Sequence, residues 1–195
     1  MWCVLLTAGL RPGEAFGLQW EDVDLEIGKL HVQRSLTRRG IKASWRLTEP
    51  KTKRARRVVP LPAMAIEALR AWRAEQGKER LLLGAEYEQN EFVFATEFGK
   101  PLHGENISRR NFQRIMAAAE LGTWEGKRFR PAFRMYDLRH TCATLLLLKG
   151  ENAKVVSERL GHASIILTLD TYSHVLPDMQ EAAAEKMEAM FGAGA

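Results

Sequence analysis

Leu160-Gly161-His162-Ala163-Ser164, with Tyr172 following ten residues after the histidine in Asp170-Thr171-Tyr172-Ser173-His174, is the stretch on which this chain's reading turns. Asn152 is placed to cap a short helix that stops at Gly161, and Ser164 opens another that carries Tyr172. One turn and one short helix therefore separate His162 from Tyr172, so the two can meet in space. Upstream, Asp137-Leu138-Arg139-His140-Thr141 begins a helix running to Lys149, with Asp137 as its N-cap and Gly150 as its stop. Farther upstream, an apolar helix over Met1–Gly9 gives way to a second one opened by Arg11-Pro12-Gly13-Glu14, where proline suits the first turn.

Between these ends the pattern is mixed. Lys29–Ser35 alternates apolar and polar residues as a half-buried strand does. Trp45–Glu49 and Arg56–Leu61 are two more strand candidates, which a basic Lys51–Arg54 turn would join into a hairpin. Pro62–Gln76 predicts a helix with Ile66, Leu69 and Trp72 on one face, ended by Gly77. Phe92-Val93-Phe94 reads as a short buried strand. Asn106–Ala119 reads as a helix with Ile107, Phe112, Ile115 and Met116 inward, and Arg109, Arg110 and Arg114 on its wet face. Lys127–Arg134 is a basic loop, and Asp178–Phe191 is a helical tail with an apolar stripe of Met179, Ala183, Met187 and Met190. The expected fold class is mainly α with a small antiparallel β-sheet near the N-terminal third (α+β).

At 195 residues and 46% hydrophobic content the chain can bury one good core. It has no apolar run of about 18 residues, the length a membrane-spanning helix needs. The apolar start lacks a basic leader and runs directly into the Arg11 segment, unlike a signal peptide. Two cysteines, Cys3 and Cys142, with no CxxC spacing, argue against a zinc site or a disulfide framework and fit a reducing cytoplasm. Net charge is +5, but it is unevenly spread. Ten basic residues between Arg34 and Arg57, against Glu49 alone, put that window at +9 and leave −4 for the rest. Such asymmetry fits a local polyanion-binding surface, although a solvated hairpin would show it too.

The residue types point to phosphodiester chemistry. Two guanidiniums can fork onto the non-bridging oxygens of a phosphate, and Arg11 and Arg139 are the candidates. Arg139 shares a helical stripe with Cys142, Ala143 and Leu146, so it needs a partner or a ligand. A structural ion pair, for example to Glu14, would also satisfy it. Tyr172 can serve as a covalent nucleophile if its proton is removed during attack. A tyrosine packed in the C-terminal core is the ordinary alternative. His162 can donate to the phosphate, or merely cap or pack. The leaving oxygen needs a proton, and Lys51 in Lys51-Thr52-Lys53 suits that task, with Lys53 as a substitute.

In order along the chain, Thr7-Ala8-Gly9-Leu10-Arg11-Pro12-Gly13-Glu14, Pro50-Lys51-Thr52, Asp137-Leu138-Arg139-His140-Thr141, Leu160-Gly161-His162 and Leu169-Asp170-Thr171-Tyr172-Ser173-His174 together resemble the tyrosine recombinase (phage integrase) family. The resemblance implies a catalytic domain over 1–177 and a helical tail over 178–195. It implies a site-specific recombinase in which Tyr172 attacks the scissile phosphate to form a 3′-phosphotyrosyl link. Arg11, Arg139 and His162 would hold the phosphate, Lys51 would be the general acid, and Glu14 the supporting carboxylate. Neither a metal, another cofactor nor ATP would be needed. Double-stranded DNA would be the partner, bound by Arg34, Lys53, Arg54, Arg109 and Arg110. The protein would assemble as a tetramer through the tail and act in the prokaryotic cytoplasm, on the nucleoid.

Two departures stand out. Tyr136 occupies the place where the family usually has a histidine three residues before the second arginine, and a phenol is a poor base at neutral pH. His140 is not expected to stand in, because adjacent helical residues point about 100° apart. Second, Met1 lies only ten residues before Arg11, so a DNA-clamping domain and a first catalytic-domain helix are expected to be missing. Two other activities fit less of the pattern. One is a non-catalytic DNA-binding remnant or regulator, because Val155–Gly161 followed by Ser164 has a helix-turn-helix cadence. The other is a nicking-and-closing activity like that of type IB topoisomerases.

Overall fold

A computed structural model of the chain describes residues 1–38, 45–49, 55–173 and 179–191. Helix α1 (Trp2–Ala8) buries Val4, Leu5 and Ala8 and ends at Gly9, whose φ of 63° is left-handed. Helix α2 (Pro12–Phe16) starts with proline in its first turn, as expected. Strands β1 (Val23–Asp24), β2 (Lys29–Val32) and β5 (Arg57–Pro60) form an antiparallel sheet in the order β1-β2-β5, with Leu30 opposite Val59. The alternation in β2 is the one predicted: Leu30 and Val32 face the core, Lys29 and His31 face out.

The predicted hairpin between the second and third strand candidates does not form. Strand β4 (Trp45–Thr48) pairs instead with β3 (Ser35–Arg38), matching Leu36 to Leu47, while β5 returns to β2. Pairing β5 with β2 buries Val59 against Leu30, which a β4–β5 ladder would leave without a sheet. Helix α3 (Ala63–Leu83) runs straight through Gly77, which keeps a right-handed φ. The left-handed stop falls at Gly84, with φ of 52°. Phe92, Val93 and Phe94 are buried as predicted, but they form no strand: Phe92 makes a single bridge to Gln19 and the chain bends at Val93 and Phe94.

The helix predicted over Asn106–Ala119 comprises α4 (Gly104–Asn106), a π-helical stretch over Ile107–Phe112, and α5 (Gln113–Ala118). The wider turn spaces the buried positions five apart, from Ile107 to Phe112, before Met116 follows at four. That phase shift carries Ile115 off the core face, contrary to expectation, and leaves it 44% exposed. The Lys127–Arg134 region is not a loop: β6 (Gly122–Glu125) and β7 (Arg128–Pro131) form a hairpin on which Trp124 packs against Phe129.

Helices α6 (Asp137–Leu148), α7 (Ala153–Leu160) and α8 (Ile165–Tyr172) complete the body, and α9 (Met179–Phe191) follows. Asn152 and Ser164 cap α7 and α8 through Lys154 N and Ile166 N, as predicted. Asp137 does not cap α6. Its carboxylate accepts from the backbone N–H of Arg134 at 2.8 Å, and Tyr136 holds the N-cap position. A main core spans α1, α2, the three-stranded sheet and α3. A smaller cluster of Ala143, Leu147, Val156, Leu160 and Tyr172 joins α6, α7 and α8. Among the described residues no helix is long and apolar enough to cross a membrane.

Candidate active site

A helix ends with carbonyls that have no partner within it and with a partial negative charge. The end of α7 meets that need with arginines. Arg57 Nε donates to the carbonyl of Arg159 at 2.6 Å, Arg139 Nη2 to that of Leu160 at 2.6 Å, and Arg11 Nη2 to that of Gly161 at 3.4 Å. Three guanidiniums from three distant segments thus converge on three consecutive carbonyls. Gly161, at φ of 67°, turns the chain away at that point. The end of α1 is treated likewise: Arg139 Nη1 donates to Gly9 at 2.7 Å and Arg159 Nη2 to Thr7 at 2.7 Å.

Glu14 ties the cluster together. Its buried carboxylate accepts from Arg57 at 2.9 and 3.1 Å and from Arg11 Nη1 at 2.8 Å, and it also caps the Arg11 backbone N–H. Burial pushes its pKa up, but the hydrogen bonds and charge of Arg57, with Arg11, outweigh that and hold it below the usual carboxylate range. Arg139 is 2% exposed. Burial and then the like charge of Arg11 lower its pKa to about 10, so it stays charged but crowded. The ion pair to Glu14 considered for Arg139 is taken by Arg11 and Arg57 instead.

His162 is half-buried beside this cluster, with Nδ1 2.8 Å from Thr168 Oγ1. Burial, and then the charges of Arg139, Arg11 and Arg57, push its pKa down to about 4. The imidazole is therefore neutral at pH 7. Tyr172 is 3% exposed, its ring in the small core and its hydroxyl 2.8 Å from His140 Nδ1. Burial raises its pKa, partly offset by Arg139. Tyr136 packs edge-on against the other side of this pair, 5.3 Å from the His140 ring.

A cleft of roughly 460 Å³ opens over the cluster. Arg11, Glu14, His162, Ala163 and Leu167 form one wall, and Thr37, Thr48 and Glu49 of the β3–β4 hairpin the other. Arg139, buried, reaches the Leu160 carbonyl next to that wall, and Tyr172 is buried in the small core. Lys51, Lys53 and Arg54 lie outside the described residues, but Glu49 and Ala55, on either side of that segment, both line the cleft. Of the residues expected on DNA, Arg34 is engaged by Glu21 at 2.5 Å and by buried Asp22 at 3.2 Å. Arg109 pairs with Glu105 at 3.0 Å, and Arg110 is exposed.

The structure thus brings Arg11, Glu14 and His162 to one cleft, sets buried Arg139 behind them on the α7 terminus, and places Tyr136 and Tyr172 on His140. Arg57, Arg159, Thr168 and His140 were not singled out for the site from sequence. Arg57 and Arg159 act largely on main-chain carbonyls, which leave no spacing signal. For His140 the signal was present: it stands four residues after Tyr136, on the same helical face.

This cluster of guanidiniums beside a cleft, with a tyrosine near it, can receive an anion. Residues 1–179 match the profile of the phage integrase family. The chain is 34% identical, over 94% of its length, to a XerC-like tyrosine recombinase of Caldanaerobacter subterraneus subsp. tengcongensis, covering 47% of that protein. It is 28% identical, over 95% of its length, to the ICEBs1 integrase of Bacillus subtilis, also covering 47%. Among solved structures, the Tn1549 transposon integrase in complex with transposon right end DNA superposes with a TM-score of 0.75 at 23% identity, over 98% of this chain and 57% of that one. XerH recombinase bound to its difH substrate gives 0.60 at 26% identity, over 96% and 44%. The chain belongs to the phage integrase family. It spans about half the length of the curated relatives it matches.

Proposed function

We propose that this chain is the catalytic part of a site-specific DNA recombinase that breaks and rejoins strands through Tyr172. The convergence of Arg11, Arg57 and Arg139 on the end of α7, next to neutral His162, carries this reading. Burial first, and then the like charge of Arg11, depress Arg139, and an incoming anion such as a phosphodiester offsets both. Arg11 lines the cleft and touches the phosphate. Arg139 adds charge from behind and fixes the α7 terminus. His162, with Nδ1 taken by Thr168, offers its other nitrogen to a phosphate oxygen.

Tyr172 attacks phosphorus, giving a 3′-phosphotyrosyl link and a 5′-hydroxyl that receives its proton from Lys51. The cleft-lining positions of Glu49 and Ala55 on either side of that lysine's segment support the assignment. A second 5′-hydroxyl reverses the step on a new strand, with the bond energy retained in the phosphotyrosine. Residues 1–177 are the catalytic domain, and the tail over 178–195 bridges protomers in a tetramer on DNA. The exposed Met187, Met190 and Phe191 of α9 support a protomer contact. Arg34, Lys53, Arg54, Arg109 and Arg110 are the DNA-facing cations, and the protein works on the nucleoid in the cytoplasm. The groove-reading alternative is weakened by α8, the would-be recognition helix, which has no Arg or Lys and carries Asp170.

A nicked suicide duplex drawn from DNA flanking the gene tests the proposal. Wild type traps a covalent adduct and Tyr172→Phe does not. Equal, salt-sensitive binding by both proteins with no adduct would leave only a DNA-binding module.

A further inference from the structure

We propose that His140 accepts the proton of the Tyr172 nucleophile, in a step that rests on the transesterification proposed above. The Tyr172 hydroxyl and His140 Nδ1 are 2.8 Å apart, with ring centroids 5.8 Å apart. The hydroxyl sits in a buried setting that disfavours a free phenolate, so its proton needs a receiver within hydrogen-bond reach. Tyr136 is a phenol like the nucleophile itself and so is no better a base than the group it would deprotonate. It packs on His140 from one helical turn away and is itself 41% exposed, so the imidazole lies between the nucleophile and a surface residue.

The 100° divergence of neighbouring helical residues does hold. Arg139 turns toward α1 and α7, and His140 turns away from it. Helix α8 covers the side to which His140 turns, and Tyr172 is on that helix. The titratable groups around the imidazole are Asp137 and Tyr136 on its own helix, Tyr172 on α8 and His162 beyond the α7 turn.

The step balances. The phenolic O–H breaks and its proton moves to Nδ1, with the ring starting as the Nε2–H tautomer. The phenolic oxygen bonds to phosphorus as the P–O5′ bond breaks, and O5′ takes a proton from Lys51. On rejoining, the attacking 5′-hydroxyl returns a proton to the lysine amine, and the imidazolium returns its own to the departing tyrosine.

Single-turnover cleavage of the nicked duplex by wild type, His140→Asn and His140→Ala, between about pH 5.5 and 9, tests this. Asparagine preserves a hydrogen-bond acceptor but cannot take a proton. Wild-type cleavage should rise with pH to a plateau as the imidazole becomes neutral. His140→Asn should be slower by on the order of 100-fold or more and should lose that limb. A role confined to holding the tyrosine would leave the limb in place. A wild-type adduct with His140→Asn at the same rate and pH profile overturns the assignment while the recombinase reading stands; no wild-type adduct overturns both. Independently, Tyr172→Phe should shift the NMR titration of the His140 ring in the DNA-free chain, and an unchanged titration also overturns it.

Discussion

His162 and Glu14 show at single residues how this site is poised. The imidazole is held neutral by burial and by three arginines, so it can donate to an oxyanion without adding a fourth positive charge. Its NMR titration in the free chain should fall at about 4, and an occupied anion site should raise it. Titration at the ordinary 6.5 would remove the crowded cluster from the account. The sign for stability follows: as pH falls from 6.5 toward 4 the unfolded chain takes up this proton before the folded one, so His162 costs stability across that window. Glu14, depressed by its arginines, adds a further loss as pH falls through its own lowered value. Replacing it with glutamine leaves Arg57 poorly paired at a side-chain exposure of 6%. Denaturant melts of Glu14→Gln should show a loss of about 3–5 kcal/mol. A loss under about 1 kcal/mol would mean the carboxylate does not organise the cluster.

The elements that frame the site were legible wherever their signals are local. Pro12, Asn152, Ser164 and Gly161 each act on the backbone within a few residues, and each sits where the sequence places it. Strand partners were not legible. The runs around β4 and β5 are adjacent in sequence, but the choice of partner depends on burying Val59 against Leu30, which no local pattern records. The π-helical stretch was hidden for a similar reason, since no residue within Ile107–Phe112 marks the wider turn locally. At the site, Arg11, Arg139 and His162 could be read as chemistry. The shared target of the two arginines, the α7 terminus, is main chain and has no sequence mark. That terminus makes a prediction at this scale. Gly161→Ala forces a side chain into φ of 67° and should cost about 1–2 kcal/mol in a thermal melt. Asn152→Ala, at the other end of α7, should cost about 1 kcal/mol. If Gly161→Ala leaves cleavage unchanged, the α7 terminus is not what aligns the arginines.

For the whole molecule, charge is concentrated in one stretch of the sequence. The +9 window from Arg34 to Arg57 runs through β3 and β4, and the cleft's second wall is built from those strands. Binding to duplex DNA should therefore weaken steeply with salt, about tenfold or more between 50 and 200 mM. Titrations showing little salt dependence would move the binding surface elsewhere. One core holds α1, α2 and the sheet, while a smaller one holds α6, α7 and Tyr172. The arginines span the two, because Arg11 and Arg57 come from the first part and Arg139 from the second. The end of α7 is thus met by guanidiniums contributed by both.

Peptide mapping of the trapped protein–DNA adduct is the most direct test of that arrangement. The DNA should be joined through its 3′-phosphate to Tyr172, leaving a free 5′-hydroxyl. Attachment through the 5′ end, or to any other residue, would contradict it.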